Sequence, residues 1–293
     1  MSGKIIIEIV GGLGNQMFQY ALYLKMIEIY GKERVYIYIG RFEKTNDNKG
    51  FQLEKYFKQC KPNIYNGDVS QYIDDNRNLI SKFRRKIFGF KKTYILEVSG
   101  NSSKDLNALE CDKNYYIRGL WQSEKFFVEI KDIVRGIFSS FTNDSNEKWN
   151  LLVNNKKNIV SMHVRRGDYI SNPKYYKLLG GVCDKNYYIN AVDYMKNNLT
   201  EHPVFFIFSD DIEWVRKEFD FLKKYDVIFS KNNSDIEDIY FMSKCDAHII
   251  ANSTFSWWGA WLGSNKNKLV VSPKNWFKGH TSEGIVPEIW TRL

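Results

Sequence analysis

The regular alternation of short apolar runs with helical stretches constrains this chain more than any other feature. In the second half, strand-like runs occupy residues 159–164, 204–208, 227–229, 247–250 and 269–271. Helical stretches separate them, at about 186–199, 211–224, 235–244 and 255–264. Strands that alternate with helices of this length form a parallel sheet whose two faces are covered by helices. This half is therefore predicted to be an α/β domain.

The first half begins in the same way. Residues 4–10 and 35–39 are strand-like, and apolar residues recur between them at helical spacing. Residues 41–110 are polar and give no clear pattern, and the polar run 154–158 separates the two halves. We predict two α/β domains with a cleft between them, residues 1–154 and residues 155–293. The C-terminal segment is a candidate to pack back on the first domain.

The charge balance is positive and limits the classes of partner. Lys and Arg number 43 against 34 Asp and Glu, which gives a formal net charge of +9. Such a balance suits a nucleic acid, an anionic membrane surface or an anionic small substrate. Neither a membrane-spanning stretch nor a signal-peptide pattern is present, so we expect a soluble, cytoplasmic protein. Four widely spaced cysteines and the lack of D-x-D and H-E-x-x-H patterns predict no metal or other cofactor.

One segment, residues 82–92, concentrates positive charge. Apolar side chains lie among its Lys and Arg residues, at Phe83, Ile87, Phe88 and Phe90. A basic segment of this kind can lie on an anionic bilayer surface. It can equally be a helix with one buried face, and the sequence leaves both interpretations open.

The first candidate site is the glycine-rich segment 11–16, at the carboxyl end of the first predicted strand. Ligands of open α/β sheets bind at that edge, and Gly12 and Gly14 allow the backbone to approach a ligand closely. Asn15 and Gln16 add amides that can bind hydroxyl groups. Met17 replaces the third glycine of a dinucleotide fingerprint, and no P-loop Lys-Ser/Thr pair follows. A plain glycine turn is the alternative.

The second candidate site is the segment 163–169, which follows the first strand of the second half. It contains His163, the adjacent Arg165 and Arg166, and Asp168. Burying guanidinium groups without partners is costly. Asp168 can neutralise one arginine, and a phosphate bound by the other would explain the pair. A structural Arg–Asp network is the alternative.

Two further candidate sites follow later strands of the second half. Asp210 and Asp211 end one strand, where a carboxylate can bind a base or a sugar hydroxyl, or can cap the next helix. In the segment 252–262, Asn252, Ser253 and Thr254 lead into a helix whose amino end favours a phosphate. Its three tryptophans are expected to pack in the core or between the domains, and a platform for a sugar is the alternative.

Together these segments resemble the inverting GDP-fucose transferases, most closely the α-1,2-fucosyltransferases of glycosyltransferase family 11. The resemblance rests on GGLGNQMFQYA at 11–21, HVRRGDY at 163–169, FSDD at 208–211 and NSTFSWWGAWL at 252–262. It spans almost the whole chain. It implies a GT-B-like fold, with two Rossmann-like domains facing a cleft and the donor held mainly by the second.

The resemblance also implies a role for each candidate residue. Arg165 should contact the β-phosphate, and His163 with one aspartate of the pair Asp210-Asp211 should hold the guanosine. The remaining residues expected to bind substrate in the second domain are Arg166, Asp168, Asn252, Ser253, Thr254 and Phe255. From the first domain, Gly12, Gly14, Asn15 and Gln16 should face the reaction centre. Arg165, His163 and Asn15 are the candidate catalytic residues, and the general base is unassigned.

The expected reaction is transfer of L-fucose from GDP-β-L-fucose to the 2-hydroxyl of a galactose, with inversion and without metal. The expected acceptor is a galactose-containing glycan, with a lipid-linked glycan at the inner membrane face as one candidate. Transfer from another GDP-sugar to a different hydroxyl is the alternative, and a nucleic-acid-binding protein is the non-enzymatic one. Oligomeric state is left open.

Overall fold

The computed structural model describes residues 2–42, 50–75, 78–98, 101–139, 143–153, 156–265 and 267–293. The chain divides into two compact units, Met1–Ile137 and Phe138–Leu293. The predicted boundary, between residues 154 and 155, lies outside the described residues. The helix Asn143–Val153 precedes that point and belongs to the second unit, where its Trp149 stacks on Phe206 with ring centroids 6.0 Å apart.

The first unit contains a five-stranded sheet in the order β2-β1-β5-β3-β4. All neighbouring strands are parallel except the pair β3–β4. The strands are β1 Ile5–Glu8, β2 Val35–Tyr38, β3 Tyr94–Val98, β4 Asn101–Ser102 and β5 Tyr115–Arg118. Among the described residues, its α-helices include Leu13–Tyr30, Leu53–Tyr56, Leu79–Phe88 and Lys131–Phe138, and Glu124–Phe126 and Val128–Ile130 are short 3-10 helices.

Part of the segment that gave no clear pattern forms regular structure. Within residues 41–110, strand β3 lies between β5 and β4, and Leu79–Phe88 is a helix. The sequence did not indicate β3, because Glu97 interrupts its apolar run and its register is set by pairing with β5, with Tyr94 opposite Tyr116.

The second unit contains a six-stranded parallel sheet in the order β13-β10-β9-β6-β7-β8. Its strands are β6 Ile159–Val164, β7 Val204–Ser209, β8 Asp226–Phe229, β9 Ala247–Ile249, β10 Val270–Ser272 and β13 Thr291–Arg292. A separate antiparallel pair consists of β11 Asn275–Phe277 and β12 His280–Thr281. The helices after Asn143–Val153 are Gly167–Ser171, Pro173–Leu179, Lys185–Asn198, Ile212–Glu218, Asp235–Lys244 and Thr254–Leu262.

The predicted α/β fold is confirmed, with a parallel sheet in the second unit and a sheet that is parallel except for β3–β4 in the first. The last strand, β13, pairs with β10 in the second sheet, with Val271 opposite Thr291. The prediction that the tryptophans of the last motif pack in the core is confirmed, since Trp257, Trp258 and Trp261 are buried. Among the described residues, no helix combines the length and apolar character that a bilayer crossing requires.

Candidate active site

Three of the predicted segments meet at one edge of the second sheet. Strands β6 and β7 are paired through their last residues, Val164 opposite Ser209, and β9 continues the same parallel arrangement on the other side of β6. Because the carboxyl ends of parallel strands lie at the same edge, residues 163–169, 208–211 and 252–256 become neighbours. The structure thus brings together the candidate residues of the second unit.

Arg165 is held on two sides by carboxylates. Its Nη2 and Nε donate to Asp168 Oδ1 at 2.7 and 3.1 Å, and its Nη1 lies 3.1 Å from Asp210 Oδ2. Burial by itself would lower the pKa of Arg165, but the charges of Asp210 and Asp168 outweigh burial and raise the pKa above its usual value. The guanidinium group therefore stays charged in a fixed orientation.

Arg166 has carboxylate partners of its own. Its Nε donates to Asp211 Oδ2 at 3.0 Å, and its guanidinium carbon lies 3.6 Å from the centroid of the Trp214 ring. Its backbone N–H donates to Asp210 Oδ1 at 2.8 Å. Both arginines therefore have carboxylate partners within the chain. The Arg–Asp network considered as the alternative is present.

The two aspartates at the end of β7, Asp210 and Asp211, make different contacts. Asp211 caps the helix Ile212–Glu218 by accepting from the Trp214 backbone N–H at 3.2 Å, which confirms that one of the pair acts as a cap. Asp210 lies against Gly167, where an added Cβ atom would come within 2.5 Å of the carboxylate oxygen. Glycine at position 167 thus leaves room for Asp210 to reach Arg165.

His163 is a buried, neutral side chain. Its Nδ1 is 2.9 Å from Ser256 Oγ, and Tyr188 donates its hydroxyl to the His163 carbonyl at 3.0 Å. Burial, together with the charge of Arg165, lowers the pKa of His163 to about 3. At neutral pH this histidine is therefore uncharged, and so weak a base is poorly suited to take a proton from an acceptor hydroxyl.

The fourth segment places a helix amino end beside these residues. Ser253 is the N-cap of Thr254–Leu262 and accepts from the Phe255 backbone N–H at 3.4 Å. Asn252 is buried and donates to the carbonyls of Leu179 and Trp276. Tyr169 joins the two segments, since its hydroxyl donates to the Asn252 carbonyl at 3.0 Å. Thr254 and Phe255 are half-buried, and the Phe255 ring centroid is 5.6 Å from that of His163.

The arrangement leaves donors for an anion. A guanidinium group has five N–H donors. The contacts of Arg165 with Asp168 and Asp210 use three of them. The first turn of Thr254–Leu262 adds backbone N–H groups that no helical carbonyl can accept, together with the positive end of the helix dipole.

In the first unit, hydrogen bonds to the backbone stabilise the glycine-rich loop after β1. Gly11 has φ +79°, which L side chains rarely adopt. Gln16 is buried, donates to the carbonyls of Gly11 and Gly50 at 2.9 Å each, and accepts from the Gln52 backbone N–H at 2.8 Å. The expectation that the Gln16 amide binds a hydroxyl group disagrees with this geometry, since both its N–H groups and its oxygen are committed to the backbone.

The other loop residues differ in exposure. Gly12 is exposed, and an added Cβ atom there would meet nothing within 4 Å. Gly14 is buried within the first turn of its helix. Asn15 is half-buried and accepts from Gln122 Nε2 at 2.8 Å through its side-chain oxygen. Gly12 and Asn15 therefore retain access to solvent in this unit, and Gly14 does not.

Glu8, at the end of β1, is a buried carboxylate with fixed partners. Arg41 Nη1 and Arg118 Nε each lie 3.1 Å from its oxygens, and Tyr116 donates its hydroxyl at 2.9 Å. Two guanidinium groups and a phenol explain how a buried carboxylate is tolerated at the end of this strand.

Several residues that support the site were not picked out from the sequence. Tyr169, Ser256 and Trp214 position Asn252, His163 and Arg166 respectively, and Gln122 positions Asn15. Tyr169 and Ser256 lie inside the motifs, so motif membership was an available signal. No signal in the sequence pointed to Trp214 or Gln122, because their contacts depend on tertiary packing. Within the described ranges, no group of three or more His, Cys, Asp or Glu side chains is placed to hold a metal ion.

Comparison with known proteins assigns the family. The model of glycosyl transferase family 11 matches residues 73–290. The α-1,2-colitosyltransferase of Escherichia coli is 33% identical over 99% of this chain and 98% of its own length. The O-antigen biosynthesis glycosyltransferase WbnK of Escherichia coli is 32% identical over 97% and 98%. A galactoside 2-α-L-fucosyltransferase of Mus musculus, Sec1, is 37% identical over 35% of this chain and 28% of its own length.

Solved structures show the fold independently of these sequence matches. The fucosyltransferase NodZ from Bradyrhizobium aligns with 89% of this chain and 93% of its own, with a TM-score of 0.51 and 13% identity. A variant of Arabidopsis thaliana FUT1 in complex with GDP aligns with 94% and 71%, with a TM-score of 0.52 and 13% identity. The predicted GT-B-like fold class is confirmed. With a family model over most of its length and a relative 33% identical along nearly all of it, the chain belongs to glycosyl transferase family 11.

Proposed function

We propose that the protein transfers L-fucose from GDP-β-L-fucose to the 2-hydroxyl of a galactose residue, with inversion at the fucose C1. The observation that carries this proposal is the geometry of Arg165. Asp168 and Asp210 hold its guanidinium group at the carboxyl edge of β6, and two N–H groups remain for a ligand. The amino end of Thr254–Leu262 is tied to the same motif through Tyr169.

In this proposal the protein acts mainly on the leaving group. As the bond between C1 and the β-phosphate oxygen breaks, negative charge grows on GDP, and Arg165 with the helix amino end stabilises that charge. The acceptor oxygen forms the new bond to C1 from the opposite face, and its proton passes to solvent. A largely dissociative path with an oxocarbenium-like transition state needs little help from a base. His163 and Asp210 contribute by shaping the nucleoside side of the donor site.

A metal ion has no part in this proposal, because a guanidinium group and a helix dipole neutralise the diphosphate. We expect enzyme treated with EDTA and then desalted into metal-free buffer to keep its full turnover. The measurement compares initial rates of fucose transfer before chelation, after it, and after adding back Mn²⁺ or Mg²⁺. An absolute requirement for either ion would contradict the role given to Arg165 and the helix.

The donor sugar has a second candidate. Colitose is the 3-deoxy analogue of L-fucose, and a colitosyltransferase is similar to this chain over nearly its full length. A site that hydrogen-bonds the 3-hydroxyl of fucose would reject the deoxy sugar strongly, whereas a site that merely tolerates that hydroxyl would accept both. The two donors are therefore distinguishable by their kcat/KM ratio.

The acceptor is proposed to be a galactose-containing glycan, on a lipid carrier at the cytoplasmic side of the inner membrane. The relative WbnK is named for O-antigen biosynthesis, which supports a glycan acceptor. In this proposal the sequence motifs bind the donor, and an array of galactosides identifies the acceptor glycan.

The test of the proposed function combines both substrates. We expect GDP and GDP-fucose, but not UDP or NAD, to raise the melting temperature, since a ligand that binds the native state stabilises it. On an array of galactosides with free 2-hydroxyls, GDP-fucose should yield α-1,2-fucosides, while matched 2-deoxygalactosides should yield none. Product on the 2-deoxy acceptors, or transfer of colitose alone, would overturn the proposal.

A further inference from the structure

The helix Leu79–Phe88 is an exposed element of the first unit. Asn78 begins it by accepting from the Ser81 backbone N–H at 2.7 Å, and Gly89, with φ +70°, ends it. None of its ten residues is buried. The alternative that residues 82–92 form a helix with one buried face was therefore wrong, and its apolar side chains need another explanation.

A buried carboxylate fixes this helix to the unit. Asp74 forms an ion pair with Arg84, and its carbonyl accepts from Arg85 Nη1 at 3.2 Å. Its Oδ2 also accepts from the Lys91 backbone N–H at 2.8 Å, just after the helix. Arg84 and Arg85 thus hold one side of the helix against the unit, and that contact decides which side faces outward.

The outward side is apolar. With 3.6 residues per turn, Leu79, Ile80, Phe83 and Ile87 fall on one face, turned away from the side that carries Arg84 and Arg85. These four side chains are 83%, 82%, 66% and 56% exposed. We call them the apolar face. So many large apolar groups exposed together mark an interaction site on a soluble domain.

Lysines border the apolar face on one side. Residues 79–92 contain six Lys and Arg residues and no acidic residue. Lys82 and Lys86 are exposed and lie along one border of the apolar face. Apolar groups bordered by lysines complement an anionic bilayer, where the apolar groups enter the headgroup region and the lysines meet lipid phosphates. Two copies of the same face would instead bring lysines against lysines, which is repulsive.

We propose that the apolar face, with Lys82 and Lys86, docks the protein on an anionic phospholipid surface. The helix then lies parallel to the membrane, with Arg84 and Arg85 on the side of the protein. This docking does not depend on which sugar is transferred. It would place the enzyme where a lipid-linked acceptor is anchored.

The test is co-sedimentation of the full chain with vesicles of phosphatidylcholine, with or without phosphatidylglycerol, in the absence of sugar nucleotide and acceptor. We expect binding to the anionic vesicles and little to the neutral ones, weakened by high salt. Lys82→Glu/Lys86→Glu should weaken binding by at least roughly 30-fold, since each surface cation contributes about a factor of five and the new carboxylates add repulsion. Phe83→Ser/Ile87→Ser should weaken it by a similar factor.

Matched variants control for the number of apolar groups and charges. Leu151→Ser/Ile289→Ser removes two exposed apolar side chains elsewhere, and Lys217→Glu/Lys223→Glu makes the same charge change elsewhere. Both are expected to bind vesicles like the unaltered protein. All four variants should keep their turnover on a soluble acceptor, because no altered residue belongs to the candidate active site.

Three results would overturn the proposal. The first is equal binding to neutral and anionic vesicles, or none to either. The second is unchanged binding by both variants of the helix. The third is self-association in sedimentation velocity that Phe83→Ser/Ile87→Ser abolishes, which would assign the apolar face to a second copy. A failure to detect fucose transfer leaves each of these measurements intact, so the docking and the reaction are judged separately.

Discussion

Replacing Arg165 by alanine is expected to lower turnover by at least ~10²-fold, the usual effect of removing one preorganised donor from a developing negative charge. Two N–H groups of Arg165 remain for the diphosphate, and Asp168 and Asp210 fix their direction. Because that contact strengthens as GDP departs, kcat should fall much more than KM for GDP-fucose rises. The measurement is steady-state fucose transfer with both substrates varied.

Two variants separate the catalytic role of Arg165 from a structural one. Arg165→Lys keeps the charge but loses the planar fork, so we expect an intermediate rate. Arg216→Ala removes an exposed arginine elsewhere in the second unit and should leave the rate unchanged. GDP binding and the melting temperature of each variant report whether the fold survives without the partner of Asp168 and Asp210. Turnover of Arg165→Ala within a factor of ten of the unaltered enzyme would refute the assignment.

Acid should destabilise the protein strongly through two buried histidines. Burial, with the charge of Arg165, lowers the pKa of His163 to about 3, and burial, with Lys268, does the same for His248. The unfolded chain binds a proton at each histidine below about pH 6.5 and the folded chain does not, so stability is fully present above pH 6.5 and falls as the pH drops toward 3. Between pH 7 and pH 5 the loss is about 2 kcal/mol per histidine.

One carboxylate has the opposite effect on the pH dependence of stability. Burial raises the pKa of Asp238 to about 6, despite hydrogen bonds from Ser230 and Asn233. As the pH falls, the folded form therefore takes up a proton at a higher pH than the unfolded form does. This raises the free energy of unfolding by about 1 kcal/mol between pH 7 and pH 5. The expected net loss from the three groups is about 3 kcal/mol.

Urea unfolding at pH 7 and pH 5 measures this dependence. His248→Gln should reduce the loss of stability between the two pH values by about 2 kcal/mol, because glutamine does not titrate. This difference is independent of the effect of the substitution on stability at pH 7. His280→Gln, at an exposed histidine, is the matched control and should leave the loss unchanged. An equal loss in His248→Gln and the unaltered protein would contradict the assignment of a buried neutral histidine at this position.

The motifs of the second unit lie together at one sheet edge, and the ion pairs that join them were not indicated by the motifs. Asp168 was the partner expected for one of the two arginines, Arg165 and Arg166, yet three carboxylates contact the pair. Asp210 and Asp211 are separated from the arginines by more than 40 positions, and nothing local states which one caps and which one pairs. Gln16, expected to meet a ligand, instead ties Gly11 to residues 50 and 52.

The sequence by itself determined the alternating β and α elements, the strand ends that carry the motifs, and the family. These features follow from local periodicity and short motifs, which depend only on residues close together in the sequence. Tertiary structure alone decided the place of β3, the partners of each arginine and the outward face of Leu79–Phe88. Those depend on contacts between residues far apart in the chain, where burial and charge pairing select one arrangement among many that the local pattern allows.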